Sequence, residues 1–413
     1  MELADHSQMP RHDTDPSIPP AAPERRPHLL DATMFWSSAG GVRRVLSAKH
    51  AWLGGRGWRH TVLAPGVDGP CQIDCGGLPL PGSGGYRLPW RCGQAERLIE
   101  QAAPDLVEAA DPYTLAWAAL RATARLGVPA VAFCHSDLPR LAARLVGGAE
   151  GLANGRGRTA AALARNYLVD LYARFDLVLA PSQAMASRLR SWGVHAVVQP
   201  LGVDCTVFTP AAADAAWRER LLRRLSVPTD TRLLVYSGRF APEKNLQLLA
   251  DAVELLGPGH TLLAIGAGPR PPRGRHVVML PPEIYSRRLA RLLASADAYV
   301  HAGDQETFGL GVLEAMACGT PVIGSTRGGV GELAQDAGLT VPRLQPQLWA
   351  EAMAASLDAG RVALARAALA RARALEWPVV LAQLSRRYLA LLRRHAGALQ
   401  LPPDAAPTRL TAQ

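Results

Sequence analysis

Short apolar runs alternate with stretches of helical spacing along most of the chain, the pattern of βαβ units and parallel sheets. In the first half, His60–Ala64, Asp105–Ala110, Ala130–Cys134 and Leu177–Ala180 are predicted strands. Val42–Leu53, Leu115–Leu126 and Met185–Trp192 carry helical periodicity; the last has Ser182 near its start and Gly193 at its stop. A second alternation begins near Arg232. Its predicted strands are Leu233–Ser237, Thr261–Ile265, Ala298–His301 and Pro321–Gly324, and its helices Leu246–Leu256, Arg287–Ala294, Gly311–Cys318 and Leu348–Leu357. Between the two halves, residues 202–230 hold Gly202-Val203-Asp204 and Pro210 and predict a hinge. A last helical pattern, Val379–Arg394, lies beyond the second sheet, and the pattern leaves open which domain it packs on.

This organisation predicts an α/β protein of two domains: a first over 28–205, a second over 206–375, and a helix at 376–398 that can cross back to the first. Pro-, Asp- and Ala-rich residues 1–27 and the stretch 399–413 lack apolar periodicity and are expected to be disordered tails. A length of 413 residues allows each domain its own core. No apolar run approaches the roughly 20 residues a membrane span needs. Met1-Glu2-Leu3-Ala4-Asp5 has neither a basic nor an apolar leader segment. Six scattered cysteines (Cys71, Cys75, Cys92, Cys134, Cys205 and Cys318) suggest free thiols in a reducing cytoplasm.

Charge narrows the partners. The net charge of +10 suits phosphate-bearing small molecules, an anionic membrane or nucleic acid. With 6% aromatic residues and no basic–aromatic stripe, nucleic acid is set aside. The positive charge is nearly all arginine, the only lysines being Lys49 and Lys244. An ammonium and a guanidinium are not equivalent at a phosphate site, which singles out Lys244.

The most informative segment runs from Asp304 to Pro321, Asp-Gln-Glu-Thr-Phe-Gly-Leu-Gly-Val-Leu-Glu-Ala-Met-Ala-Cys-Gly-Thr-Pro. A strand ends near His301, a polar loop follows, and a helix starts around Gly309. Glu306 therefore stands at the C-terminal edge of a parallel sheet, where α/β folds bind ligands. Glycine lets the amides of the helix N-terminus approach an anion. Glu314 lies inside an otherwise apolar helix, where a buried carboxylate needs a polar partner such as vicinal hydroxyls. A second segment, Tyr236-Ser237-Gly238-Arg239-Phe240-Ala241-Pro242-Glu243-Lys244-Asn245, turns from strand to helix at the same edge. Arg239 and Lys244 there could neutralise a diphosphate.

Together these segments resemble the retaining glycosyltransferases of family 4, which have the two-domain GT-B fold. The match to that family's Glu-x7-Glu motif is Glu306 to Glu314, with Phe308-Gly309-Leu310 and Gly319-x-Pro321-Val322. Further matches are Gly238-Arg239-Phe240-x-Pro242-Glu243-Lys244-Asn245, Pro200-Leu201-Gly202-Val203-Asp204 with Phe208 and Pro210, and the Gly40-Gly41-Val42 loop. The resemblance implies two Rossmann-like domains facing across a cleft. Arg239 and Lys244 would bind the donor diphosphate, Glu306 the sugar hydroxyls and Glu314 the ribose. Amides around Phe308, Gly309 and Leu310 would cradle the phosphate, and Gly40 and Gly41 would approach donor or acceptor. His135, in Phe133-Cys134-His135-Ser136-Asp137, matches a histidine placed near the sugar.

The implied reaction moves a hexose from a nucleotide-diphosphate sugar, GDP-mannose or a UDP-hexose, to a glycan or lipid-linked acceptor with retention. No cofactor is expected beyond the donor and no metal: the only Asp-x-Asp, Asp13-Thr14-Asp15, falls in the tail. Cys71-x3-Cys75 with Cys92 lacks a fourth ligand at suitable spacing. Arginines between 139 and 175, among them Arg140, Arg144, Arg156, Arg158 and Arg165, offer a basic face to an anionic membrane, so a cytoplasmic protein with peripheral attachment to the inner face is one expectation. The chain departs from the family at His301-Ala302-Gly303-Asp304, where Pro-Ser is usual, and at Leu280–Tyr285, which lacks a glycine near the expected base site. A non-catalytic nucleotide-sugar or glycan-binding protein on the same fold is the alternative.

Overall fold

The computed structural model describes residues 26–36, 41–79, 86–358 and 360–400. In the first domain β1 (His28–Ala32) leads to α1 (Gly41–Gly54), β2 (Arg59–Ala64), β3 (Gln72–Asp74) and a two-stranded antiparallel ribbon of β4 (Leu78–Pro79) and β5 (Arg87–Leu88). Then come α2 (Cys92–Ala102), β6 (Leu106–Ala109), α3 (Thr114–Leu126), β7 (Ala130–Phe133), α4 (Leu138–Gly147), α5 (Gly155–Tyr172), β8 (Leu177–Ala180), α6 (Gln183–Ser191) and β9 (Ala196–Val198). Seven strands form one sheet in the order β3-β2-β1-β6-β7-β8-β9, every pair parallel.

The second domain opens with α7 (Ala215–Arg224), followed by β10 (Arg232–Ser237), α8 (Leu246–Leu256), β11 (His260–Ile265), β12 (Val277–Leu280), α9 (Ser286–Ala294) and β13 (Ala298–His301). It closes with α10 (Leu310–Ala317), β14 (Val322–Ser325), α11 (Gly328–Ala334), β15 (Leu339–Val341), α12 (Pro346–Leu357) and α13 (Arg361–Ala374). Its six strands, ordered β12-β11-β10-β13-β14-β15, are again all parallel. Each sheet thus reverses direction beside its first strand, the doubly wound order that opens a ligand crevice at the strands' C-terminal ends. The strands read as continuous apolar runs because helices cover both faces: Leu233, Leu234, Val235 and Tyr236 are all buried.

The chain crosses between domains twice. Gln199–Phe208 leads out of the first, and Leu375–Trp377 leads back from the second into α14 (Trp377–Gln400). The two crossings bond to each other: Val203 N–H donates to Leu375 O (3.0 Å) and Trp377 N–H to Val203 O (3.1 Å). Gly202 is required there, since a Cβ would lie 2.5 Å from the Trp377 ring. α7 lies inside the 202–230 stretch expected to be a hinge and packs on the second domain, with Arg218 Nη2 2.6 Å from Asp297 Oδ2. The connection is therefore shorter than the sequence suggests.

α14 returns to the first domain. Arg387 donates to Gln199 Oε1 and Val198 O, and Tyr388 is fully buried against α1 and β6. Beneath it lies a charged core: Lys49 Nζ donates to Asp31 Oδ1 (3.0 Å), Glu108 Oε1 (2.7 Å) and Tyr388 Oη (3.1 Å), while His60 Nε2 pairs with Asp31 Oδ2 (2.6 Å). The tails expected over 1–27 and 399–413, apart from Arg26, Pro27 and the end of α14, fall outside the described residues, as does Gly40.

Candidate active site in the interdomain cleft

Strands β10 and β13 are neighbours, so the turns leaving their C-terminal ends meet. After β10, a 3-10 turn over Pro242–Lys244 ends on Asn245, whose φ of 51° reverses the chain and whose Nδ2 donates to Ala302 O (2.9 Å). This bond ties the Lys244 turn to the loop that follows β13. Lys244 Nζ donates to Glu306 Oε1, and His301 Nε2 lies 3.2 Å from the same oxygen. Gly303 N–H donates to His301 Nδ1 at 3.2 Å, which leaves the His301 proton on Nε2, facing the carboxylate. Burial opposes ionisation of Glu306, but Lys244 and then His301 outweigh it and hold the carboxyl below the ordinary range. Glu306 is an anion held by two donors.

The loop ends at Gly309, whose φ of 107° caps the start of α10. The first N–H groups of a helix have no carbonyl in their own helix, and Gly309 and Leu310 stand at that end of α10. Phe308 contributes only its backbone here, its side chain being packed in the core at 4% exposure. Arg239 stands apart from the cluster: its side chain is 66% exposed and its Nη2 lies 3.1 Å from Glu243 Oε1.

Glu314 projects from the buried side of α10. Arg44, on α1 of the first domain, donates to its Oε1, and its Oε2 is buried without a partner among the described residues. Burial raises the Glu314 carboxyl above its ordinary value, opposed by the Arg44 charge. Glu314 and Leu310 line a cavity of about 610 Å³ between the domains, together with Arg43, Arg44, Glu283 and Tyr285. Gly41 begins α1 on its far side, where an added Cβ would touch Leu310 Cδ1 at 3.0 Å.

From the first domain, His135 follows β7 and stacks flat on Phe133, centroids 4.1 Å apart. Its carbonyl accepts from Thr307 Oγ1 (2.9 Å), so His135 and the Glu306 loop are joined across the cleft. Ser182 Oγ, which also caps α6, donates to Thr307 O at 2.7 Å. Burial, reinforced by the Lys49 charge, pushes the His135 imidazole down to about 3, and the ring is neutral at pH 7. Asp137 takes no part in orienting that ring: it caps α4 through Arg140 N–H and lies 3.4 Å from Arg188.

The structure brings together Lys244, Glu306, Glu314, Gly309, Leu310, Gly41 and the His135 loop, and leaves Arg239 at the rim. Arg44, Glu283 and His301 belong to the same constellation but carry no motif of their own. The one signal for His301 was its place where the family has another residue. No group of three or more His, Cys, Asp or Glu among the described residues is arranged to hold a metal ion.

The model for Glycosyltransferase Family 4 matches residues 39–207, and that for Glycosyl transferases group 1 matches residues 231–359. A GDP-mannose-dependent alpha-mannosyltransferase of Mycolicibacterium smegmatis is 33% identical over 311 residues, covering 71% of this chain and 75% of that protein. A D-inositol 3-phosphate glycosyltransferase of Xylanimonas cellulosilytica is 34% identical over 202 residues, 45% of this chain and 48% of that one. Among solved structures, the sucrose-phosphate synthase of Thermosynechococcus elongatus superposes with a TM-score of 0.71 at 21% identity, over 89% of this chain and 100% of that one. Anabaena HepE in complex with UDP and glucose gives 0.69 at 18% identity, over 88% and 99%. At these identities the structures establish the shared GT-B architecture.

Proposed function

The chain belongs to glycosyltransferase family 4, and on that premise we propose that it transfers mannose from GDP-mannose to a glycan or lipid-linked acceptor, with retention and without a metal ion. The observation that carries this reading is the arrangement around α10. An anion-binding helix end and the Lys244–Glu306 pair stand at its start, and a carboxylate with one unpartnered buried oxygen, Glu314, faces the cavity one turn further on.

A nucleoside diphosphate laid along this wall would set its ribose hydroxyls on Glu314 Oε2 and its phosphates on the α10 amides and Lys244. Arg239, exposed at the same turn and paired with Glu243, would close on the diphosphate. Glu306 would accept hydrogen bonds from the sugar hydroxyls. The acceptor oxygen then bonds to the anomeric carbon on the face from which the phosphate departs, and its proton passes to a departing phosphate oxygen. Positioning and charge stabilisation supply the catalysis.

Guanine is favoured by Glu283. Its Oε1 accepts from Tyr285 N–H at 2.9 Å, which fixes the carboxylate at the cavity. Guanine offers that carboxylate two N–H donors on one edge, whereas uracil flanks its single N–H with carbonyls that a carboxylate repels.

Calorimetric titration with GDP, UDP, ADP and NAD in the absence of metal tests the reading. Tight binding of GDP that is lost in Lys244→Ala supports it. Tight UDP binding moves the donor to a UDP-hexose, and binding of NAD alone overturns it.

A peripheral position on an anionic membrane is supported by the α4–α5 hairpin. Leu145 is 78% exposed, and Val146, Leu152 and Leu163 are also exposed beside Arg156, Arg158 and Arg165. No described helix is long and apolar enough to cross a membrane. Co-sedimentation with phosphatidylglycerol vesicles but not with phosphatidylcholine vesicles is the expected result.

A further inference from the structure

A second depression lies in the first domain, outside the donor cleft. Its volume is about 420 Å³, and Leu88, Tyr113, Thr114, Trp117, Arg121 and Tyr167 line it. These residues come from β5, from the turn between β6 and α3, from α3 itself and from α5. None has a role in the donor site.

The aromatic wall is built with its polar tips already engaged. Trp117 Nε1–H donates to Tyr167 Oη at 3.0 Å, and Tyr167 O–H donates in turn to Pro112 O at 2.7 Å. The Arg174 guanidinium lies over the Trp117 ring at 5.5 Å from its centroid. Held from three sides, these rings are fixed in place and lose little freedom when a ligand arrives. What they present is flat apolar surface. Thr114 and the exposed Arg121, whose Nη1 donates to Cys92 Sγ at 3.7 Å, add polar groups to the lining.

We propose that this groove is a saccharide subsite, holding a sugar unit of the acceptor other than the one that reacts; the inference rests on the glycosyl-transfer reading of the cleft. A pyranose ring has a face of C–H bonds, which suits the negative face of an aromatic ring, and a periphery of hydroxyls, which suits a polar rim. An acyl chain needs the reverse, apolar walls without a charged, hydrated edge. The groove and His135 also share the C-terminal edge of the first sheet. Tyr113 ends the turn that leaves β6, His135 lies in the loop that leaves β7, and the two strands are paired. Tyr113 further packs edge-on against Phe35, ring centroids 6.0 Å apart, in the segment between β1 and α1. An extended acceptor with one unit at His135 reaches the groove across Tyr113.

Saturation-transfer NMR on the full chain tests the subsite with α-1,6-mannobiose as the saccharide probe and n-octyl phosphocholine as the alkyl probe. Transfer to the mannobiose ring protons is expected in the wild type, with affinity reduced about ten-fold in Trp117→Ala. Arg121→Ala, at a side chain that is 58% exposed, is expected to weaken the probe by a smaller factor. GDP titration of both variants should match the wild type. The inference is overturned by mannobiose signals that are absent in the wild type or unchanged in both variants, or by a groove that takes only the octyl chain. GDP binding by a wild type that ignores mannobiose defeats the subsite and leaves the donor reading standing. Trp117-dependent mannobiose binding without GDP binding does the opposite.

Discussion

Arg44 of the first domain donates to Oε1 of Glu314 in the second, and the other carboxylate oxygen of Glu314 is buried with no partner among the described residues. One ion pair thus joins the domains at the wall of the cavity between them while leaving a hydrogen-bond acceptor open. A buried oxygen left unpaired costs free energy that a ligand donor recovers. The pair couples the position of α1 to whatever occupies Glu314.

If ribose hydroxyls donate to that oxygen, removing them should matter only while the carboxylate is there. GDP is expected to bind the wild type about ten-fold more tightly than its 2′,3′-dideoxy analogue, the worth of a hydrogen bond to a charged group. In Glu314→Gln the two ligands should bind almost alike, a coupling that a calorimetric double-mutant cycle reads directly. A variant that still discriminates between them places the ribose elsewhere.

Glu306 separates transfer from binding. Glutamine keeps its size and some of its acceptor capacity but loses the charge that Lys244 and His301 hold in place. In Glu306→Gln turnover is expected to fall by about 100-fold or more while GDP affinity changes little. Steady-state rates beside calorimetry check this. Equal losses in both would give Glu306 a donor-binding role and return the non-catalytic alternative to contention.

Much of this site was legible because chain punctuation and chemistry coincide in two segments. Gly238, Pro242 and Asn245 on one turn, and Gly303 and Gly309 on the other, mark strand-to-helix turns, and the charged residues sit between them. Topology then did the rest, since β10 and β13 are adjacent. What was illegible depends on distant partners. β1 reads poorly as a strand because Asp31 interrupts His28–Ala32, and only Lys49 and His60 make a buried charge there acceptable. β9 and β15, with three residues each, are too short for periodicity to register. α11 is a glycine-rich segment whose helix depends on close packing: a Cβ on Gly329 would lie 2.4 Å from Phe308 Cα. Arg44 and Glu283 look like surface charges until the cavity gathers them.

His135 should make the fold sensitive to acid. Its ordinary value of 6.5 falls to about 3 in the folded chain, first through burial and then through the Lys49 charge. Below pH 6.5 the unfolded chain takes up a proton that the folded chain refuses, so stability falls with falling pH until about pH 3. One proton gives a slope of at most about 1.4 kcal/mol per pH unit. Glu306, depressed below its ordinary range, adds to the same trend at lower pH. Urea unfolding of His135→Gln between pH 6.5 and 4.5 should show a shallower pH dependence than the wild type. Parallel curves would mean that the imidazole gains its proton in the folded state.

The charged core under α14 carries a final prediction, which turns on a count of charges. Lys49 is 1% exposed and is the one cation bonded to both Asp31 and Glu108 among the described residues. Burial works against Asp31 as an anion, and Lys49 followed by His60 pulls it down to about 2. Burial pushes Glu108 upward, and the Asp31 charge adds to that. Lys49→Met therefore strands an anion in the core and should cost about 3–5 kcal/mol by chemical denaturation. It also removes a bond to Tyr388, so α14 should lose hydrogen-exchange protection before the second sheet does. Glu108→Gln removes a carboxylate that burial already disfavours as an anion, and its amide can still pair with Tyr388, so its cost should be nearer 1 kcal/mol. Equal costs for the two variants would show that the cluster is held by packing, with Lys49 dispensable as a charge. The contrast is expected because Asp31, held at about 2, still requires a cation when Glu108 does not.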